Sequence, residues 1–99
     1  MASATRVLPQ AEAEKFYQRG QALIRVGDFA AARLLLGRAS EAGHPGATFA
    51  LASTYDPNVL ASVRVKGLVG EPAQAKALYG KALAEGMQDA KARLEALGG

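Results

Sequence analysis

The sequence repeats itself after 43 positions, and this repeat constrains the fold more than any other feature of the chain. Residues 26–28 (VGD) align with 69–71 (VGE), and residues 32–39 (ARLLLGRA) align with 75–82 (AKALYGKA). A period near forty residues is typical of helical repeat proteins, in which each unit buries its apolar face against the next. Further aligned pairs are Gly43 with Gly86, Ala47 with Ala90 and Leu51 with Leu94.

Apolar and small residues recur every three or four positions between the turns, which indicates helices that each bury one face. Gly27-Asp28 has the residue types that end one helix and cap the next, and Pro45 and Pro72 suit a first helical turn. Short turns place neighbouring helices antiparallel, and successive pairs then stack. The sequence therefore predicts an all-α fold of about five helices, over residues 11–26, 29–42, 46–55, 71–86 and 88–97.

Two segments do not follow this pattern. Residues 1–10 lack the apolar core of a signal peptide and are predicted to be a flexible lead-in, or the point where a longer chain was cut. Residues 56–70 are predicted to be an insertion, because Asp56-Pro57-Asn58 breaks the third helix. We expect one helical turn around Leu60 and an extended run over 63–66. The repeat domain is assigned to residues 11–97.

Charge and composition exclude several classes of function. The net charge is +3, and Lys and Arg are scattered without a basic run, so we expect no nucleic-acid binding. The absence of cysteine excludes a disulfide scaffold and a thiolate metal site. No apolar run reaches the length of a membrane span, so we expect no membrane insertion in this segment.

Residue types that carry catalysis or hold metals are sparse. His44 is the only histidine and lies at a turn, whereas a zinc site or a His-based dyad needs further partners. The carboxylates fall on helix surfaces or ends, and residues 43–46 (GHPG) lack the spacing and the lysine of a phosphate-binding loop. We therefore predict a non-catalytic protein with no cofactor and no metal, in which His44 is structural or merely exposed.

Residues 16–39 resemble a tetratricopeptide repeat, in which small residues let two helices approach closely and large residues fill the space between them. The second unit, residues 75–86 (AKALYGKALAEG) followed by Ala90 and Leu94, resembles the Sel-one-like subfamily. The longer 56–70 segment departs from both patterns. The positions that match the tetratricopeptide pattern are Phe16, Gly20, Leu23, Gly27, Asp28, Phe29, Ala32, Leu36 and Ala39.

The resemblance covers about residues 11–97 and implies about two and a half repeats, stacked as a short right-handed α-solenoid. It also implies that first-helix positions of each repeat face a concave groove, whereas Tyr79 belongs to the core. A row on the first helix and its equivalent on the third are thus candidates for partner binding. These residues are Glu14, Tyr17, Gln21, Arg25, Phe49 and Ser53.

The leading hypothesis for function is a protein-interaction module that binds a peptide or helix of a partner on its concave face. On the competing interpretation of the site, Tyr17 and Phe49 only pack against neighbouring helices. Arg64 and Lys66 in the insertion form a second candidate surface. The alternative function is a structural or self-association domain, covered by the rest of a larger protein or by a second copy, so a homo-oligomer is possible.

Overall fold

The computed structural model describes residues 8–63 and 67–98, and within these ranges the chain forms six α-helices and no strand. The predicted all-α class is confirmed, whereas the predicted number of about five helices is one too low. The helices are α1 Gln10–Arg25, α2 Phe29–Glu41, α3 Pro45–Ser53, α4 Pro57–Val63, α5 Pro72–Ala84 and α6 Asp89–Ala96.

The additional helix, α4, lies in the predicted insertion. Its seven residues include the single turn expected around Leu60, which is buried. The sequence analysis took Asp56-Pro57-Asn58 as a break alone. However, the same residues also begin a helix, because Asp56 Oδ1 accepts a hydrogen bond from the Asn58 amide at 2.9 Å. Val63 belongs to α4, and the rest of the expected extended run, 64–66, lies outside the described residues.

The turn between α1 and α2 has the structure that its residues predict. Gly27 adopts a φ of 85°, in the left-handed region that favours glycine. The Asp28 carboxylate then accepts a hydrogen bond at 3.1 Å from the Ala31 amide in the first turn of α2. Gly27 therefore ends the first helix while Asp28 caps the second.

The helices pack largely in chain order. α1 packs on α2, α2 on α3, α3 on α5 and α5 on α6, whereas α1 and α3 share only a narrow contact. The insertion helix α4 is skipped in this order. The arrangement corresponds to two helix pairs, α1–α2 and α3–α5, followed by a single helix.

Small residues dominate the core and allow close helix contacts. Ala32, which matches a small position of the tetratricopeptide pattern, and Tyr79, predicted to belong to the core, are fully buried, and so is Ala75. Gly20 faces Leu36 so closely that an added Cβ would lie 2.6 Å from the Cγ and Cδ2 atoms of that leucine. The α1–α2 spacing therefore depends on the absence of a side chain at position 20.

Two polar side chains join the first helix pair to the second. Lys81 Nζ on α5 donates to the Ser40 carbonyl oxygen at 2.9 Å, near the end of α2. Arg33 on α2 donates from Nε to Thr54 Oγ1 at 3.1 Å, and its guanidinium lies over the Tyr55 ring. Because both contacts cross between the helix pairs, they help to fix the relative position of the two pairs.

Candidate functional site

A depression of about 250 Å³ lies between the C-terminal half of α1 and the middle of α3. Four of the six predicted partner-binding residues line it: Gln21 and Arg25 from α1, and Phe49 and Ser53 from α3. We refer to it as the α1–α3 groove. The described residues that line it are Gln21, Ile24, Arg25, Phe49, Ala50, Ser53, Val59 and Arg93.

The other two predicted residues, Glu14 and Tyr17, take part in a different set of contacts. Glu14 Oε1 lies 2.7 Å from His44 Nε2, and the ring centroids of Tyr17 and His44 are 4.5 Å apart. The Tyr17 ring also covers Gly46, where an added Cβ would lie 3.0 Å from Tyr17 Cζ. Glu14 lines a separate depression of about 460 Å³ with Ala42 and its neighbours. The row predicted on α1 is thus divided between two surfaces.

His44 connects α1 to the beginning of α3. Its Nδ1 atom accepts a hydrogen bond from the Ala47 amide at 3.0 Å, which caps α3. An accepting Nδ1 carries no hydrogen, so Nε2 carries it and donates to Glu14. That bond, followed by one from Gln18, holds the pKa of Glu14 below its usual value. Both ring nitrogens of His44 are therefore occupied by structural contacts.

The floor of the α1–α3 groove contains the half-buried Phe49 ring, which packs on the buried Tyr79 ring. The Phe49 and Tyr79 ring centroids are 5.5 Å apart. The Arg93 guanidinium lies 5.0 Å from the Phe49 centroid, and its Nη1 donates to the Tyr79 hydroxyl at 2.9 Å. Phe49 therefore has both of the roles considered from the sequence, because it packs against a neighbouring helix and also lines the groove.

Behind this floor, Tyr79 links Arg93 to a buried carboxylate. The Tyr79 hydroxyl donates to Asp56 Oδ2 at 2.7 Å, and Asp56 is only 1 % exposed. Burial, together with this hydrogen bond, raises the pKa of Tyr79 far above its usual value, so the hydroxyl remains a donor. The same Asp56 begins α4, which carries Val59 into the groove. The hydrogen bonds among Asp56, Tyr79 and Arg93 therefore help to position two parts of the groove lining, which are Arg93 itself and Val59 on α4.

Four lining residues were missed by the sequence analysis. Ile24 and Ala50 adjoin the predicted Arg25 and Phe49, and periodicity assigned such apolar positions to the core alone. Val59 lies in the insertion, where no repeat pattern applies. Arg93 reaches the groove by bonding to Tyr79, and no spacing in the sequence signals that contact. The remaining candidates, Arg64 and Lys66, lie outside the described residues.

Among the described residues, those that line the α1–α3 groove include two arginines and no carboxylate. Over residues 8–63 and 67–98, the close contacts between a carboxylate and a basic side chain are the hydrogen bond of Glu14 with His44 and the ion pair of Lys81 with Glu85. Neither pair includes Arg25 or Arg93. The described part of the groove lining thus combines apolar side chains with two positively charged ones.

Other features of the described residues, and comparisons with known proteins, give no further assignment. In this part of the chain, no helix is long and apolar enough to cross a membrane. His, Asp and Glu side chains form no group of three or more that could hold a metal ion in the same ranges. No protein-family model, curated protein or solved structure matches the sequence.

Proposed function

We propose that the chain is a Sel-one-like or tetratricopeptide-like repeat domain without catalytic activity, and that its α1–α3 groove binds a peptide or helix of a partner protein. The 43-residue repeat and the order of helix packing, which skips only α4, support the repeat assignment. The right-handed solenoid that the family resemblance implies belongs to the same proposal.

The observation that carries the proposal is the convergence of α1 and α3 on one groove. Gln21, Arg25, Phe49 and Ser53 were selected from positions on two helices, and all four line the same depression. At about 250 Å³, the groove is slightly smaller than the usual range of about 300–1,000 Å³ for small-molecule pockets. It suits one or two side chains of a peptide, and the affinity expected of so small a contact is modest.

The proposal is tested by filling the groove. Ser53 is half-buried at the end of α3, and its hydroxyl donates to the Ala50 carbonyl at 2.6 Å. Ser62 makes the equivalent bond to Val59 at 2.7 Å but is exposed and outside the groove lining. Ser53→Trp and Ser62→Trp therefore make the same change of side chain, the first inside the groove and the second outside it.

Peptides are selected from a random displayed library on the wild-type protein, and their affinities are measured for both variants. We expect Ser53→Trp to weaken binding at least about tenfold, or ~1.4 kcal/mol, and Ser62→Trp to leave it unchanged. Thermal unfolding of each variant shows whether folding is retained. If the selected peptides bind both folded variants equally, the groove is not the binding face, and the insertion around Arg64 and Lys66 becomes the next surface to test.

The alternative, a structural or self-association domain, is favoured by exposed apolar side chains away from the groove. Val26 is 77 % exposed and Leu34 is 73 % exposed, and a shallow depression is lined by Arg19, Ala22, Leu23 and Val26. A second copy or another part of a larger protein would remove such side chains from water. Light scattering distinguishes the two functions, because a tight dimer that dissociates on Val26→Glu would support self-association.

A further inference from the structure

We propose that the occupant of the α1–α3 groove is an acidic peptide segment, with one apolar side chain on the groove floor and a following carboxylate side chain between Arg25 and Arg93. This inference rests on the proposed function and adds the chemistry of the partner.

The first support is the charge of the groove edges. Arg25 is exposed in the last turn of α1, and Arg93 reaches the groove from α6. A cation in a last helical turn also interacts favourably with the helix dipole, so Arg25 alone would have a structural explanation. Arg93 likewise lies in the last turn of α6 and bonds to Tyr79, so each arginine alone has a structural explanation. The support for a ligand is that two different helices bring both guanidinium groups to one groove.

The second support is that Arg93 is held in place with donors to spare. One of its nitrogens, Nη1, donates to Tyr79, and the guanidinium lies against the Phe49 face. A guanidinium has five N–H donors, and its planar arrangement matches a carboxylate. Within the described residues, its hydrogen bond to Tyr79 leaves other donors for a ligand. A preset side chain loses little conformational freedom when the ligand binds.

Neither Arg25 nor Arg93 forms an ion pair within residues 8–63 and 67–98. Asp56 is separated from Arg93 by the Tyr79 hydroxyl, and its carboxylate is buried behind the floor. Glu14 lies eleven residues before Arg25 on the same helix, or about 16 Å along the axis, and is bonded to His44. Asp56 partly offsets the charge of Arg93, whereas the described residues that line the groove include no carboxylate beside Arg25.

The apolar half of the ligand is indicated by the rest of the lining. Ile24, Ala50 and Val59 come from three different helices, and together with the Phe49 ring they supply the apolar part of the groove lining. A polar or charged side chain placed on this surface would lose its hydrogen bonds to water without replacing them. A leucine-sized apolar side chain has no such hydrogen bonds to lose.

The experiment uses short labelled peptides that are acetylated and amidated, so that only side chains carry charge. The first contains Leu-Glu-Glu between Gly-Ser spacers; the second has Leu-Gln-Gln and the third Leu-Lys-Lys. Binding to the full chain is followed by fluorescence anisotropy. We expect the Glu peptide to bind at least about tenfold more tightly than the Gln peptide, and more weakly as salt rises.

A pair of protein variants separates the groove from the overall charge. Arg25→Glu reverses a charge in the groove, whereas Arg19→Glu makes the same change on the same helix, in a residue that lines a different depression. We expect Arg25→Glu to lower affinity for the Glu peptide by about tenfold or more, because like charges at an interface repel. Arg19→Glu is expected to retain most of the affinity.

Each other result overturns the inference in a distinguishable way. If the Gln or Lys peptide binds as tightly as the Glu peptide, the preference for acid is wrong while the groove stays a peptide site. If Arg19→Glu weakens binding as much as Arg25→Glu, the attraction comes from overall charge. If none of the three peptides binds but the library-selected peptides still depend on Ser53, the chemistry inferred here is wrong and the proposed function stands. If that dependence on Ser53 is also absent, both proposals fail.

Discussion

Tyr79→Phe is expected to lower the free energy of unfolding by about 1–3 kcal/mol, although it removes a single oxygen atom. Tyr79 is fully buried, and its hydroxyl both donates to Asp56 and accepts from Arg93. Phenylalanine would leave the Asp56 Oδ2 atom without this donor at a site that is 1 % exposed. Urea unfolding of the two proteins measures the difference.

Tyr55→Phe is the matched control for this change. Tyr55 is half-buried, and its ring contacts the Arg33 guanidinium at 3.8 Å, a contact that does not involve the hydroxyl. We expect a change within about 0.5 kcal/mol for Tyr55→Phe, as is usual away from buried polar networks. If Tyr79→Phe costs no more than Tyr55→Phe, the Asp56–Tyr79–Arg93 network does not stabilise the fold. A double-mutant cycle with Asp56→Asn measures the coupling directly.

Glycine-to-alanine substitutions are expected to have opposite effects at two kinds of position within the helices. At Gly37 on α2 and Gly80 on α5, an added Cβ would meet nothing within 4 Å. Alanine there is expected to stabilise the fold by about 0.5–1 kcal/mol, because glycine is a poor helix former. At Gly20, the same methyl group would lie 2.6 Å from Leu36, which is fully buried and has little room to move.

Gly20→Ala is therefore expected to destabilise the fold by about 1–2 kcal/mol, because the cost of overpacking exceeds the gain in helix propensity. Chemical denaturation of the three single variants tests this, with Gly37→Ala and Gly80→Ala as controls for the intrinsic effect of alanine. If Gly20→Ala has the same free energy of unfolding as Gly37→Ala, the α1–α2 contact at position 20 is looser than the structure indicates.

The helical fold was predictable because its signals are local. Gly27-Asp28, Pro45 and Pro72 mark helix ends through backbone geometry and capping, and these effects depend on only a few adjacent residues. The short helix α4 was missed as a helix because a seven-residue segment carries almost no periodicity. Its stability comes from the Asp56 cap and from the burial of Leu60, which depend on tertiary structure.

The candidate site was predictable only in part, because spacing shows which residues share a helix face but not what covers that face. Tyr17 and Gln21 lie one turn apart on α1, yet His44 covers the first and leaves the second in the groove. Arg93 is a similar case, since its place depends on a hydrogen bond to a tyrosine fourteen positions earlier. The repeat family and peptide binding stay predictions that require experiments.

The central claim is that the α1–α3 groove is the face that binds a peptide. It is tested most directly by recording amide chemical shifts of the isotope-labelled protein while the end-blocked Leu-Glu-Glu peptide is added. The account predicts that the largest changes cluster at Gln21, Arg25, Phe49 and Ser53. Changes confined to the depression around Arg19 and Val26, or to residues 64–70, would contradict it.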